Sequence, residues 1–386
     1  MAVIRFGIIG AGNVGTGTAR GDSFIRVLSQ FEQARVVAVC DIRRENAERA
    51  TALAGAQPFT EIEEFLESGL DAVVICTPVK HHAEQAIAAL QRGLHVLSEV
   101  PAVHSMEAAA ALASAAAGSS AHYMLAENYR YFDEVELLKR MADAGRFGNI
   151  YFAEGEYLHD CKDLWLDEAG RPTWRGESGP APGYGVYCTH SVGPVLYILD
   201  DRVVQVSALA NEIGRVVPER PGTPASRSAG WFNFVMLMRT ARGSTVRARV
   251  DTVSPRPHAA AYYSLQGDKG SFETWRGLGD ASKVWLADEH EPSHCFASAQ
   301  WHPVGDYAPT YLPDRLAAGE EAQAGGHGTS EYWMIRDFLT AIERDEPPPI
   351  DVYRGLDYTT PGICAVESVL NGGKAVPVPD FREGPE

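Results

Sequence analysis

The feature that most constrains this chain lies in its first fifteen residues. Val3–Ile9 is a short apolar run, and Gly10-Ala-Gly12-Asn13-Val14-Gly15 follows it at once. The glycines open a helical stretch reaching about Phe31, and a second apolar run, Arg35–Cys40, ends on Asp41. In a strand–turn–helix–strand frame, the first glycine allows the tight turn and the second lets a pyrophosphate approach the backbone. The third allows close helix–strand packing. Helix N–H groups then face the phosphates. Asp41 is placed to accept hydrogen bonds from an adenosine ribose, and its charge opposes a 2′-phosphate. NAD is therefore expected as the cofactor rather than NADP, with Arg43 and Arg44 pulling the other way. The expected contacts here are Gly10, Gly12, Asn13, Val14, Gly15 and Asp41.

The alternation continues. Thr60-x-x-Glu63 reads as a capping box opening a short helix, and Asp71–Cys76 as a third strand. A helix over about His82–Arg92 and a strand over Leu94–Ser98 follow. Ser105 can cap an Ala-rich helix to about Ala117, before a strand at Ala121–Leu125. Strands alternating with helices imply a parallel, doubly wound sheet. After about Glu127 the rhythm changes. Ile150–Tyr157, Val203–Ala210, Trp231–Met238 and Ser244–Asp251 read as strands without intervening helices. Tyr262–Gln266 and Gly270–Trp275 read as a hairpin, and Ser330–Arg344 as a late helix. Pro218–Ala229 and Gly319–Thr329 read as loops. The fold class expected is α/β: an N-terminal Rossmann dinucleotide-binding domain, residues 1–126, and a C-terminal α+β domain with a mostly antiparallel sheet, residues 127–386. The second would bind substrate and mediate oligomerisation.

With 34 Lys+Arg against 51 Asp+Glu, the net charge is −17. Such a chain repels polyanions, so neither nucleic acid nor an anionic membrane is an expected partner. No stretch approaches the ~18 apolar residues of a membrane helix. The start at Met1 reads straight into a strand, without the regions of a signal peptide. Six scattered cysteines form no Cys-x-x-Cys pair, so no metal is expected, and a reducing cytoplasm is the expected compartment.

Ligands of open α/β sheets sit beyond the carboxyl ends of the strands. Those ends carry Thr77-Pro78, Glu99-Val100-Pro101 and Glu127-Asn128. These strand ends are thus the candidate nicotinamide neighbours, with Thr77, Pro78, Glu99, Pro101 and Asn128 as the expected cofactor contacts, and His82 at the next helix start is grouped with them.

The order Gly10–Gly15, Asp41, Thr77-Pro78, Glu99-x-Pro101, then an antiparallel domain, resembles the Gfo/Idh/MocA oxidoreductases over essentially the whole chain. That family usually shows Glu-Lys-Pro, where this chain has Val100. It also commonly places an Asp four residues before its helical His, where this chain has Val186 before His190. The departures resemble the NAD-dependent glycosidases of family 109 and relatives, including NAD-dependent sulfoquinovosidases. The matching segments are Glu99-Val-Pro-Ala102, Ala126-Glu-Asn-Tyr129, Tyr157-Leu-His159-Asp160, Tyr187-Cys-Thr-His190-Ser-Val-Gly-Pro194, Gly326-His-Gly328, Asp351-Val-Tyr353 and Val378-Pro-Asp-Phe381. The resemblance implies that Tyr157, Arg175, Asn128 and the Tyr187–His190 segment lie at the active site. It also implies a redox-neutral hydrolysis: transient oxidation at carbon 3 of the sugar, elimination of the aglycone, water addition and re-reduction. The substrate would be a small-molecule glycoside, either an N-acetylhexosaminide or an anionic sugar such as a sulfoquinovoside. A homodimer or homotetramer is the assembly implied.

The residue types suit these steps. His190 is the candidate base for the sugar hydroxyl, since imidazole titrates near neutral pH. Tyr187, three residues earlier, shares its helix face. Pro194 cannot donate to the carbonyl of His190, so an irregular turn is expected there. Tyr157 and His159 alternate on a strand end and point to one face. Tyr157 is the candidate base at carbon 2. Its reference pKa of about 10 demands a lowered value or an adjacent proton acceptor, which His159 could be; His159 could instead protonate the leaving group. Tyr129, Lys162, Trp174, Arg175 and His258 are the candidate substrate contacts, with Arg256 and His327 as further candidates. Two other readings stay open: an NAD-dependent sugar or inositol dehydrogenase, and a non-catalytic NAD-binding sensor.

Overall fold

The computed structural model describes residues 3–12, 19–161, 164, 173, 187–214, 229–256, 261–290, 300–319, 322 and 328–383. The first sheet is built from β1 (Ile4–Ile9), β2 (Ala34–Cys40), β3 (Gln57–Phe59), β4 (Ala72–Ile75), β5 (His95–Ser98) and β6 (Tyr123–Leu125). Its order is β3-β2-β1-β4-β5-β6 and every pairing is parallel. This is the order of a dinucleotide-binding sheet, with the strand direction of travel reversing between β1 and β4. Strands buried on both faces read as unbroken apolar runs, and Ala72–Ile75 is buried throughout.

The crossover helices are α1 (Arg20–Leu28), α2 (Arg44–Ala54), α3 (Ile62–Leu66), α4 (His82–Leu90) and α5 (Met106–Ala117). Ser105 does cap α5, its Oγ accepting from the Ala108 N–H at 3.1 Å. The capping box expected at Thr60 is not formed. Helix α3 starts one residue later than that box requires, and its capping residue, Glu61, makes no side-chain cap bond.

The second sheet contains β7 (Ile150–Leu158), β8 (Val203–Gly214), β9 (Ala229–Thr240), β10 (Thr245–Asp251), β11 (Tyr262–Gly267), β12 (Gly270–Glu273), β13 (Lys283–Leu286), β14 (His302–Pro303) and β15 (Val376–Pro377). The order is β14-β13-β12-β11-β7-β10-β9-β8-β15. Among the described residues only β7 and β10 run parallel; the other pairings are antiparallel. The parallel pair needs a crossover, so β7 and β8, read from the sequence as strands with no helix between them, are separated by a helix and are not neighbours in the sheet.

Helix α6 (Asp133–Asp143) precedes β7, and α7 (Thr189–Leu199) lies between β7 and β8. Helix α7 packs across β7. The approach is close at one point: a Cβ on Gly155 would stand 1.9 Å from the carbonyl oxygen of Ser191. Two further helices close the chain, α8 (Ser330–Arg344) and α9 (Val352–Leu370). Helix α8 packs against α1 and against the turn Asn128–Tyr131, so a C-terminal element braces the first sheet. Helix α9 was hidden by Pro361 and its neighbouring threonines. It is held by burial, and the Thr359 and Thr360 hydroxyls donate to the carbonyls of Gly355 and Leu356, each at 2.9 Å. One apolar core runs continuously through both sheets.

Candidate active site

The carboxyl ends of the parallel strands supply one wall of the site. Gly10 ends β1 at φ +91°, and a Cβ there would lie 2.9 Å from the carbonyl of Cys76. No other residue closes this turn without strain. Asp41, at the end of β2, accepts from the Ala11 N–H at 2.9 Å, the Arg43 N–H at 2.9 Å and the Asn46 amide at 3.2 Å. A carboxylate has about four lone-pair sites, so acceptor capacity remains for a ribose. Arg44 is engaged with Glu48 at 2.8 Å, and the backbone of Arg43 serves Asp41.

The ends of β4 and β5 are tied to each other. His82 is 1% exposed, with Nε2 2.8 Å from the carbonyl of Thr77 and Nδ1 2.9 Å from that of Pro101. Expected from the sequence beside the cofactor, His82 has both ring nitrogens facing backbone carbonyls, of which the neutral ring donates to one, and so it links the two turns. Burial lowers its pKa, against the raising effect of the two carbonyls. The Thr77 hydroxyl donates to Gln85 at 2.6 Å, and Glu99 is held by Arg20 at 2.7 Å.

The end of β6 leads to the chemistry. Glu127 is 0% exposed; its Oε1 accepts from the Tyr129 N–H at 3.0 Å and lies 2.7 Å from Nδ1 of His190. A carboxylate at Nδ1 keeps the proton on that nitrogen and leaves Nε2 as the basic one. Around His190 three tyrosines form a cage. The ring of Tyr129 stacks on it at 3.9 Å, while Tyr157 and Tyr187 lie at 5.0 and 5.4 Å between ring centres. On the far side of Tyr157, its hydroxyl is 2.8 Å from Nδ1 of His159. Burial pushes the Tyr129 hydroxyl well above the ordinary tyrosine range.

The irregular turn expected at Pro194 does not occur. Helix α7 runs through it, because the carbonyl of His190 that Pro194 cannot serve accepts the Tyr263 hydroxyl at 2.7 Å. Tyr263 is not singled out from the sequence as a site residue, and Glu127 is read there as a strand-end neighbour of the nicotinamide, not as the partner of His190. Glu127 was visible only as a strand-end residue, 63 positions from the histidine it faces. Asn13, Val14, Gly15, Lys162, Trp174, Arg175, His258 and His327 lie outside the described residues. Among the described residues no group of three or more His, Cys, Asp or Glu could hold a metal ion, and no helix is long and apolar enough to cross a membrane.

A glycine turn and an acid beside the strand reversal, with a caged histidine–carboxylate pair at the same sheet end, define a dinucleotide-dependent enzyme. Residues 4–127 match the Gfo/Idh/MocA oxidoreductase family, NAD-binding Rossmann fold, and residues 131–385 match the glycosyl hydrolase 109 C-terminal domain. The chain belongs to glycosyl hydrolase family 109, and it is an NAD-dependent glycosidase. It is 30% identical to a glycosyl hydrolase family 109 protein of Streptomyces filamentosus, covering 99% of this chain and 78% of that protein. It is 26% identical to an alpha-N-acetylgalactosaminidase of Tannerella forsythia, covering 99% and 87%. The fold is shared with levoglucosan dehydrogenase in complex with NADH and L-sorbose, at TM-score 0.81 and 22% identity, over 98% of this chain and 100% of that one. The residues here fit NAD. Gly10 forms the turn, Asp41 keeps acceptor capacity, and the buried side-chain amide nitrogen of Asn128 has no hydrogen-bond partner among the described residues.

Proposed function

We propose that this enzyme hydrolyses N-acetylated hexosaminides through transient oxidation at carbon 3, with His190 and Tyr157 as two separate bases. One observation carries the reading. The cage holds two proton-handling pairs, His190–Glu127 at 2.7 Å and Tyr157–His159 at 2.8 Å, with the His190 and Tyr157 rings 5.0 Å apart. A simple alcohol dehydrogenase needs one base for one hydroxyl. Oxidation followed by elimination needs a second, for the hydrogen on carbon 2.

When bound, NAD would supply the reversible hydride chemistry at carbon 3. Nε2 of His190 takes the proton of the 3-hydroxyl, and Glu127 stabilises the imidazolium that forms. The ketone acidifies carbon 2. Tyr157, its proton passed to His159, removes that hydrogen and the aglycone leaves carbon 1. The same groups return protons as water adds. Val100 is buried and apolar where simple dehydrogenases of the wider family carry a lysine, which leaves His190 as the hydroxyl base. The N-acetylated sugar class is supported by relatives named alpha-N-acetylgalactosaminidase in Tannerella forsythia and Shewanella oneidensis.

The test is turnover of aryl glycosides in deuterated water, with aglycone and NADH absorbance followed together. Neutral, N-acetylated and 6-sulfonated sugars form the panel. Aglycone release with deuterium at carbon 2 and no lasting NADH is expected, strongest for the N-acetylated sugar. Lasting NADH with the glycosidic bond intact would make the enzyme a sugar dehydrogenase. Selective cleavage of the 6-sulfonated sugar would move the substrate to the anionic class.

A further inference from the structure

The turn carrying Glu99 is fastened from a distance. Arg20, the first residue of α1, donates from Nε to Glu99 Oε1 at 2.7 Å, and its Nη2 lies 2.6 Å from the same oxygen. Its Nη1 donates to Glu331 in the first turn of α8. Ser23 donates to the other Glu331 oxygen at 2.7 Å. Glu331 is 1% exposed. The helix after the cofactor turn, the end of β5 and a C-terminal helix thus meet at one guanidinium. Burial opposes the charge on Arg20, but Glu99 and Glu331 outweigh it and raise its pKa, so it stays cationic. Two carboxylates and one guanidinium leave one negative charge in excess among these three groups.

Where that charge sits follows from the strand order. Asp41, on the ribose side, ends β2; the ends of β4, β5 and β6 lie on the other side of the reversal between β1 and β4. A dinucleotide with its adenosine at Asp41 extends its nicotinamide toward those ends. The oxidised nicotinamide ring is a cation and the reduced ring is neutral.

We propose that Glu331, acting through Arg20, is a positioning residue that keeps the Glu99 turn negative and so favours bound NAD over bound NADH. An enzyme whose cycle starts from the oxidised cofactor gains from this bias, since a reduced resting state would be idle. The inference concerns the cofactor in the absence of sugar, so it stands or falls separately from the roles of His190 and Tyr157.

The test equilibrates the full-length holoenzyme against NAD and NADH mixtures of fixed ratio at low ionic strength. The bound fraction of each is read after rapid gel filtration. Glu331→Gln should lower the preference for NAD over NADH by roughly tenfold, the order of effect of removing one partly shielded charge from the cluster. Glu331→Asp, which keeps the charge, should retain the wild-type ratio. A merely structural role would weaken both cofactors equally. An unchanged ratio in a folded Glu331→Gln enzyme overturns the proposal. If that variant does not fold, Glu99→Gln decides in its place: a lowered ratio supports the charge bias, and an unchanged one overturns it.

Discussion

The hydroxyl of Tyr263 donates to the carbonyl oxygen of His190 at 2.7 Å. That carbonyl lacks its helical partner because Pro194, four residues on, has no N–H. Strand β11 therefore completes helix α7 and fixes the backbone of the candidate base. Burial raises the Tyr263 hydroxyl well above the tyrosine range, so it remains a neutral donor. Tyr263→Phe leaves a buried carbonyl unpaired, at a cost of about 1–3 kcal/mol. A lower melting temperature is expected, with kcat falling more than KM rises. An unchanged melting temperature would contradict this.

Glu127→Gln keeps the shape of the side chain but offers His190 an amide in place of a carboxylate. The amide can stabilise the wrong tautomer and cannot stabilise an imidazolium. NADH formation in a single turnover should slow by about 10²–10⁴-fold, the range of a positioned general base. Adding His190→Ala to this variant should cost little more, because residues acting as a unit are not additive. Independent, multiplying losses would separate the two residues.

Tyr157→Phe removes the hydroxyl that faces His159. Single-turnover NADH formation should persist, while exchange of the carbon 2 hydrogen with deuterated solvent should be lost. Normal exchange in this variant would remove Tyr157 as the second base.

Gly155→Ala tests the seat of the site. The added methyl would meet the Ser191 carbonyl at 1.9 Å, so α7 must shift away from β7. Overpacking of this kind costs about 1–3 kcal/mol. Turnover should fall sharply because His190 and Tyr157 ride on the two elements being separated, whereas NAD affinity should change little. Equal loss of both would show that the disturbance spreads to the first sheet.

Stability in acid should depend on Asp314. Arg140 donates to its two oxygens at 2.6 and 3.0 Å and holds its carboxyl down to about 2. An unfolded Asp titrates near 4. The contribution is therefore complete above about pH 4 and fades as pH falls toward about 2. Asp314→Asn should flatten the decline in melting temperature within that window. Because the pair is partly exposed, the effect should be modest and shrink in high salt. A decline as steep as that of the unaltered enzyme would show the pair to be inert.

Much of the first sheet was legible because its signals are local. The glycine turn, Asp41 at a strand end, the Ser105 cap and the apolar period of α8 each depend on a few neighbouring residues. Helix α9 was not legible, since Pro361 argues against it and only burial overrides that preference. Helix α7 was seen as a short helical segment around His190, but its passage through Pro194 depends on Tyr263 from another strand.

The sequence by itself determined a dinucleotide turn, a run of parallel crossovers, and a set of candidate histidines and tyrosines in family-like segments. Tertiary structure alone decided which of these groups face each other. Glu127 meets His190 across 63 positions, and Arg20 meets Glu331 across 311. The ring nitrogens of His82 face two carbonyls that come together only when β4 and β5 pair. Local backbone preferences are written in a few adjacent residues. The partner of a buried polar group is set by strand order and by the need to satisfy that group once water is excluded.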